Sequence, residues 1–145
     1  MPVNALIDTG AILALLDKAD PWHGPCHACF PEFRLPLLTS EAVLTEAFHL
    51  VGQSRPSMEA AWSLIRSGTV LLSAVEDAEL PAIHFLMSRY WDRPMDFADA
   101  TLVHLAKRES ISTIFTIDQD DFATYRINGK RQFNILPLER PRRRI

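Results

Sequence analysis

Asp8, Glu46, Asp99 and Asp118 are widely separated carboxylates, each placed where a strand or a helix would carry it to one end of a sheet. Asp8 closes the apolar run Val3-Asn4-Ala5-Leu6-Ile7, and Asp118 follows Ser112-Thr113-Ile114-Phe115-Thr116-Ile117. Asp99 falls in Met95-Asp96-Phe97-Ala98-Asp99-Ala100, and Glu46 lies in a helical stretch over residues 40–51. In an open α/β sheet, ligands bind beyond the carboxyl ends of the strands. Carboxylates gathered there suit a hard divalent cation, because Mg²⁺ and Mn²⁺ take oxygen ligands. The chemistry to which this pattern points is metal-dependent hydrolysis.

The elements that must position these acids are legible as alternating strands and helices. Apolar runs predict strands over 3–7, 34–38, 69–75, 113–117 and 133–136. Helices are expected over 11–18, from Asp20-Pro21-Trp22 to Pro31, over 40–51 with Ser40 as N-cap, over 56–66, over 76–90 and over 96–108. In the 40–51 helix Val43, Leu44, Ala47, Phe48 and Val51 form an apolar stripe, with Glu46 just off its edge. Pro81 is tolerable only near the start of its helix. Strands alternating with helices predict one three-layer α/β/α domain over 1–145, built on a central parallel sheet.

Composition agrees with a single globular domain: 145 residues, 48% hydrophobic and 23% charged. The net charge of −3 does not advertise nucleic-acid binding, although a cation bound among crowded carboxylates would offset part of it. Basic residues cluster late, at Lys130, Arg131, Arg140, Arg142, Arg143 and Arg144, either as a solvated tail or as phosphate contacts. No apolar run reaches membrane-spanning length and no signal peptide is apparent, so a cytoplasmic protein is expected. Cys26 and Cys29 lack a second ligand pair at zinc spacing and read as free thiols.

Taken singly, each acid has a structural explanation. Asp8 suits a turn or a helix cap, and Asp96 a cap with Asp99 in the first turn. Asp118, Asp120 and Asp121 suit a polar loop, and Glu46 a solvated helix face. Their common placement is the argument for a site. Asp8 and Asp118 both follow apolar strands directly, and Asp96 and Asp99 share a helical face at i and i+3.

The segment Leu6-Ile7-Asp8-Thr9-Gly10-Ala11 resembles the opening of PIN-domain ribonucleases, many of them VapC-type toxins of toxin–antitoxin pairs. Thr39-Ser40-Glu41-Ala42-Val43-Leu44-Thr45-Glu46-Ala47 is similar to the second acidic helix of that family. Phe97-Ala98-Asp99-Ala100 resembles its Asp-Ala step, and Thr116-Ile117-Asp118-Gln119-Asp120-Asp121-Phe122 its late Thr-x-Asp…Phe motif. The order and spacing match across essentially the whole chain. The resemblance implies a PIN-like fold and an acidic site of Asp8, Glu46, Asp99 and Asp118, with Asp96 as a candidate fifth member. It implies one or two Mg²⁺ or Mn²⁺ ions, held primarily by Asp8 and Asp99, with Glu46 and Asp118 completing the site and Thr9 and Thr116 orienting carboxylates. An RNA substrate, a cognate antitoxin and a homodimer follow from the same likeness. Arg142, Arg143 and Arg144 are the candidate RNA contacts, His23 is expected to give packing or polar support, and Asp120 and Asp121 are not expected to be primary ligands.

Two other enzyme readings are weaker. Asp8-Thr9-Gly10 also resembles the loop of retroviral-type aspartic proteases, which requires an all-β scaffold that the helical patterns after Gly10 contradict. A haloacid-dehalogenase phosphatase needs a second Asp two residues on, where Gly10 stands. A PIN-like module that binds RNA or protein without cutting is the remaining alternative.

Overall fold

The computed structural model describes residues 2–142. Five parallel strands form the central sheet: β1 (Leu6–Ile7), β2 (Leu37–Thr39), β3 (Val70–Leu72), β4 (Thr113–Phe115) and, after a two-stranded antiparallel ribbon of β5 (Arg126–Ile127) and β6 (Arg131–Gln132), β7 (Asn134–Leu136). The order across the sheet is β3-β2-β1-β4-β7. The chain thus winds outward on one side of β1, then returns to build outward on the other. That places the topological switch point between β1 and β4, where such sheets open a crevice for a ligand. Leu6 pairs with Leu38 on one side and Ile114 on the other, so the central strands are buried on both faces.

The flanking helices are α1 (Thr9–Leu16), α2 (His23–Cys29), α3 (Glu41–Val51), α4 (Arg55–Arg66), α5 (Leu80–Arg89), α6 (Phe97–Arg108) and α7 (Gln119–Thr124). They give the three-layer α/β/α architecture expected from the sequence and exclude the all-β scaffold of an aspartic protease. α6 is the helix most deeply embedded, burying Ala98, Ala100, Leu102, Val103 and Leu105. Gly10, in the first turn of α1, faces Ile117 so closely that a Cβ there would collide with the isoleucine side chain. The glycine of Asp8-Thr9-Gly10 therefore serves close packing next to the switch point.

Several elements differ from the sequence expectation. The strands are shorter than the apolar runs: residues 3–7 pair regularly only at Leu6–Ile7, with Val3 making an isolated bridge to Phe33. Residues 34–38 shift to Leu37–Thr39, 69–75 contract to Val70–Leu72, 113–117 to Thr113–Phe115, and 133–136 to Asn134–Leu136. The first helix begins at Thr9 rather than 11, capped by Asp8. The 76–90 helix opens as a 3-10 turn, Asp77–Glu79, because Pro81 has no N–H for an α-helical bond; the Glu76 N–H is taken by Glu79 at 2.7 Å instead. Residues 119–124, where a polar loop was the structural alternative for Asp120 and Asp121, form α7. Cys26 and Cys29 are buried thiols, pushed by burial to pKa values of about 12 and about 11, and so are poor nucleophiles. The His23 Nδ1 lies 2.7 Å from the carbonyl of Ala14, a polar tie between α1 and α2.

Candidate active site

The backbone leaves the sheet immediately after β1. The Asp8 N–H donates to the Phe115 carbonyl at 3.0 Å, and Asp8 then caps α1. One carboxylate oxygen accepts the Thr9 N–H at 2.7 Å; the other accepts the Thr116 hydroxyl at 2.9 Å. The Thr116 oxygen accepts in turn from the Asp118 N–H at 3.0 Å. One hydroxyl beyond β4 thus fixes the side chain of Asp8 and the backbone of Asp118. Thr116 is itself held by its N–H on Leu136 and by Gln119, whose amide reaches the Thr116 carbonyl at 3.4 Å and the Pro137 carbonyl at 2.6 Å.

Asp99 arrives from α6. The Asp96 carboxylate accepts the Asp99 N–H at 2.7 Å and so caps the helix. The Asp99 carboxylate accepts the buried Tyr125 hydroxyl at 2.9 Å. Tyr125 is wedged edge-on between Tyr90 and Phe122, with ring centroids 5.2 Å from each. The N-termini of α3 and α6 are tied by a short chain of hydroxyls. Thr101 donates to the Ala98 carbonyl at 2.6 Å, which leaves the Ser40 hydroxyl to donate to Thr101 at 2.7 Å while accepting the Val43 N–H at 3.3 Å. This tie sets α3 beside α6, and Glu46, Asp96 and Phe97 line the same shallow cleft.

The acids feel one another. Burial raises Asp8 to a pKa of about 7, with further pressure from the charges of Asp118 and Glu46 and partial relief from Thr9 and Thr116. Burial, then Asp8 and Asp96, raise Asp99 to about 8 against the Tyr125 hydrogen bond. Asp118 is pushed up by partial desolvation and Asp121; Glu46 by partial desolvation, Asp96 and Asp118. Among the described residues no three His, Cys, Asp or Glu side chains are drawn close enough to form a metal-holding group. The donor set nonetheless suits a hard cation chemically: it is all carboxylate oxygen, and its members oppose one another's ionisation.

The five acids read from the sequence therefore share one end of the sheet. Asp8 and Asp99 are buried, whereas Glu46, Asp96 and Asp118 face solvent. Thr9 holds Asp8 through its backbone N–H, and its hydroxyl points to the Val43 carbonyl at 3.4 Å. Asp121 and Asp120 are engaged by Arg93 at 3.2 Å and Arg140 at 3.5 Å. Arg142 is exposed at the end of the described chain, and Arg143 and Arg144 lie outside the described residues. Sequence reasoning missed Tyr125 and Gln119. It also missed the β5–β6 ribbon, although Asn128-Gly129 was the available signal: both residues have positive φ, 53° and 74°, in the turn closed by the Lys130 N–H on Ile127.

No family model matches the chain. Ribonuclease VapC26 of Mycobacterium tuberculosis is 31% identical over 135 residues, which span 91% of this chain and 99% of that protein. The chain belongs to the VapC family of PIN-domain ribonuclease toxins. The crystal structure of another VapC protein of M. tuberculosis, VapC20, described as a sarcin–ricin-loop-cleaving toxin, aligns with a TM-score of 0.68. That alignment covers 77% of this chain and 87% of VapC20 at 21% identity, a likeness of fold. The VapC relationship extends along nearly the whole chain.

Proposed function

We propose that this VapC-family chain is an Mg²⁺- or Mn²⁺-dependent endoribonuclease, the toxin of a toxin–antitoxin pair, with its centre at Asp8, Glu46, Asp99 and Asp118. The observation that carries the reading is the pair Asp8 and Asp99. These two buried carboxylates from different layers are raised by burial and by their neighbours to about 7 and about 8. Such a pair is costly in a fold unless a cation offsets it. Asp8 and Asp99 would hold the ion, with Asp96, Glu46 and Asp118 around them. When bound, the ion supplies charge stabilisation at the scissile phosphate and a more acidic water.

The protein's own groups do the positioning. Thr116 and the Thr9 N–H fix Asp8, and Tyr125 fixes Asp99. Glu46 and Asp118, at the solvent side, orient water for in-line attack. The new bond joins the water oxygen to phosphorus, the P–O3′ bond breaks, and the 3′ oxygen takes a proton. The products are 5′-phosphate and 3′-hydroxyl ends.

The same reading includes a protein antitoxin, a cytoplasmic setting and a symmetric homodimer. The family relationship supports the antitoxin, and no helix among the described residues is long and apolar enough to cross a membrane. Exposed Leu50 and Trp62 on α3 and α4 are apolar surface available to a second copy.

The test is a labelled RNA pool incubated with Mg²⁺ and then with EDTA, with the product ends identified. Cleavage confined to the Mg²⁺ arm, 5′-phosphate ends and no cutting by Asp99→Asn are expected. Cutting that survives EDTA, or 2′,3′-cyclic phosphate ends, would sink the mechanism, because the RNA's own 2′-hydroxyl would then be the attacking group.

A further inference from the structure

Between α5, α6 and the β5–β6 ribbon lies a cavity of about 570 Å³ that contains none of the acids of the site. Ala82, Leu86 and Val103 form its apolar floor, and Phe85, 65% exposed, stands over it. The remaining wall is cationic: Arg89, Lys107, Arg108 and Arg126 line it, and no Asp or Glu does. Among the described residues Arg108 is taken by Glu79 and Glu109, and Arg126 holds the Ala123, Thr124 and Tyr125 carbonyls through Nη1; Arg126, Arg89 and Lys107 pair with no carboxylate. In a chain of net charge −3 this is a local inversion of sign.

The groove is also aligned with the acidic site. Asp99, Val103 and Lys107 recur every four residues along one face of α6, so Lys107 lies two helical turns, ~12 Å, from Asp99. Arg126 directly follows Tyr125, whose hydroxyl holds Asp99, and the Arg126 N–H donates to the Tyr90 hydroxyl at 2.9 Å. The Tyr90–Tyr125 pair thus packs between Asp99 and Arg126, which lines the groove.

We propose that this groove binds the flank of a single-stranded RNA whose scissile bond lies at the acidic cluster, with phosphates on Arg89, Lys107 and Arg126 and a base against Phe85. The assignment rests on the reading of that cluster as a ribonuclease centre. Single-strand binding sites combine a cationic track with an aromatic platform on which any base can stack. An acidic protein segment would satisfy the cations equally well. The exposed Phe85 ring among them favours nucleic acid.

The test uses the full chain in EDTA, so that binding is read without cutting. The probe is a fluorescent, mixed-sequence single-stranded RNA followed by anisotropy across a salt series. Arg89→Ala/Lys107→Ala is expected to weaken binding and to reduce the slope of log K against log salt by ~1.4, two single-strand phosphate contacts. Phe85→Ala is expected to weaken it about fivefold or more with the slope unchanged. These three side chains are exposed, so the variants are expected to fold, which circular dichroism checks. Unchanged affinity and slope in both variants, or no binding by the wild type at low salt, overturns the proposal. Polyglutamate is the second probe: if it, and not RNA, depends on Arg89 and Lys107, the groove belongs to an acidic protein segment and the RNA assignment falls. Cleavage in Mg²⁺ separates the two readings. A wild type that binds through the groove yet never cuts removes the ribonuclease centre alone, and variants that cut with unchanged KM remove the groove alone.

Discussion

Thr116 joins two strands that are far apart in sequence, donating to Asp8 and accepting from the Asp118 N–H. Thr116→Val is isosteric but leaves a buried carboxylate and a backbone donor without that partner, so a loss of ~1–3 kcal/mol in stability is expected by denaturant titration. Tyr125→Phe is the cleaner probe of Asp99, since it removes one oxygen and keeps the aromatic wedge. Cleavage is expected to fall ~10–100-fold, with a raised Mn²⁺ requirement and a circular dichroism spectrum like that of the wild type. A variant that cuts at the wild-type rate and Mn²⁺ midpoint would show that the hydroxyl does not position Asp99. The acids were legible in the sequence because each sits at the end of an apolar run or in a capped helix. Tyr125 was not, because it acts through a side chain 26 residues away and no local pattern announces that contact.

Protonation follows from the same residues. Asp8 and Asp99 have folded-state pKa values of about 7 and about 8, above the ordinary 3.8. Over this interval the folded chain holds protons that the unfolded chain has released, so stability falls as pH rises. The metal-free protein is expected to melt progressively lower from about pH 4 to about pH 8 and then to level off. Asp99→Asn flattens the upper part of that slope. A wild-type melting temperature that rises over this interval in EDTA would contradict the crowding described for these acids.

At the scale of elements, the site depends on α3 and α6 being held at one separation. Ser40 caps α3 and reaches Thr101 of α6 in a single side chain. Ser40→Ala is expected to cost ~1 kcal/mol as a lost cap, a melting-temperature drop of a few degrees, together with weaker cleavage as Glu46 drifts from Asp96. A stability loss without any change in activity would mean that the tie supports α3 alone. Strand identities and their alternation with helices were readable because apolar runs and punctuation agree. Strand lengths were not: residues 113–117 are continuously apolar or β-branched, yet after Phe115 the chain turns and the Thr116 side chain enters the site. Pro81 located its helix start but not the preceding 3-10 turn, and Asn128-Gly129 was a turn signal passed over beside a stretch read for its charge.

For the whole molecule, mutual repulsion of the acids would make a cation a folding ligand on the proposed reading. Millimolar Mn²⁺ is expected to raise the melting temperature of the wild type, by mass action on the folded state, and not that of Asp8→Asn/Asp99→Asn. Identical wild-type melts with and without Mn²⁺ would count heavily against a metal centre. Assembly is separable from catalysis: a symmetric dimer is expected by light scattering, and a monomer across micromolar concentrations would remove the dimer while leaving the nuclease untouched.

The sheet order also sets a timetable. β1 emerges first during synthesis, but its neighbour β4 and the residues that fix the site, Thr116, Asp118 and Tyr125, come late, and Thr116 is itself tied to Leu136 in the last strand. Contacts of such long sequence separation form only once their distal partners exist. A ribosome making this chain therefore carries no assembled acidic site until β7 has emerged. On the proposed reading, the nascent polypeptide up to α6 is silent by topology.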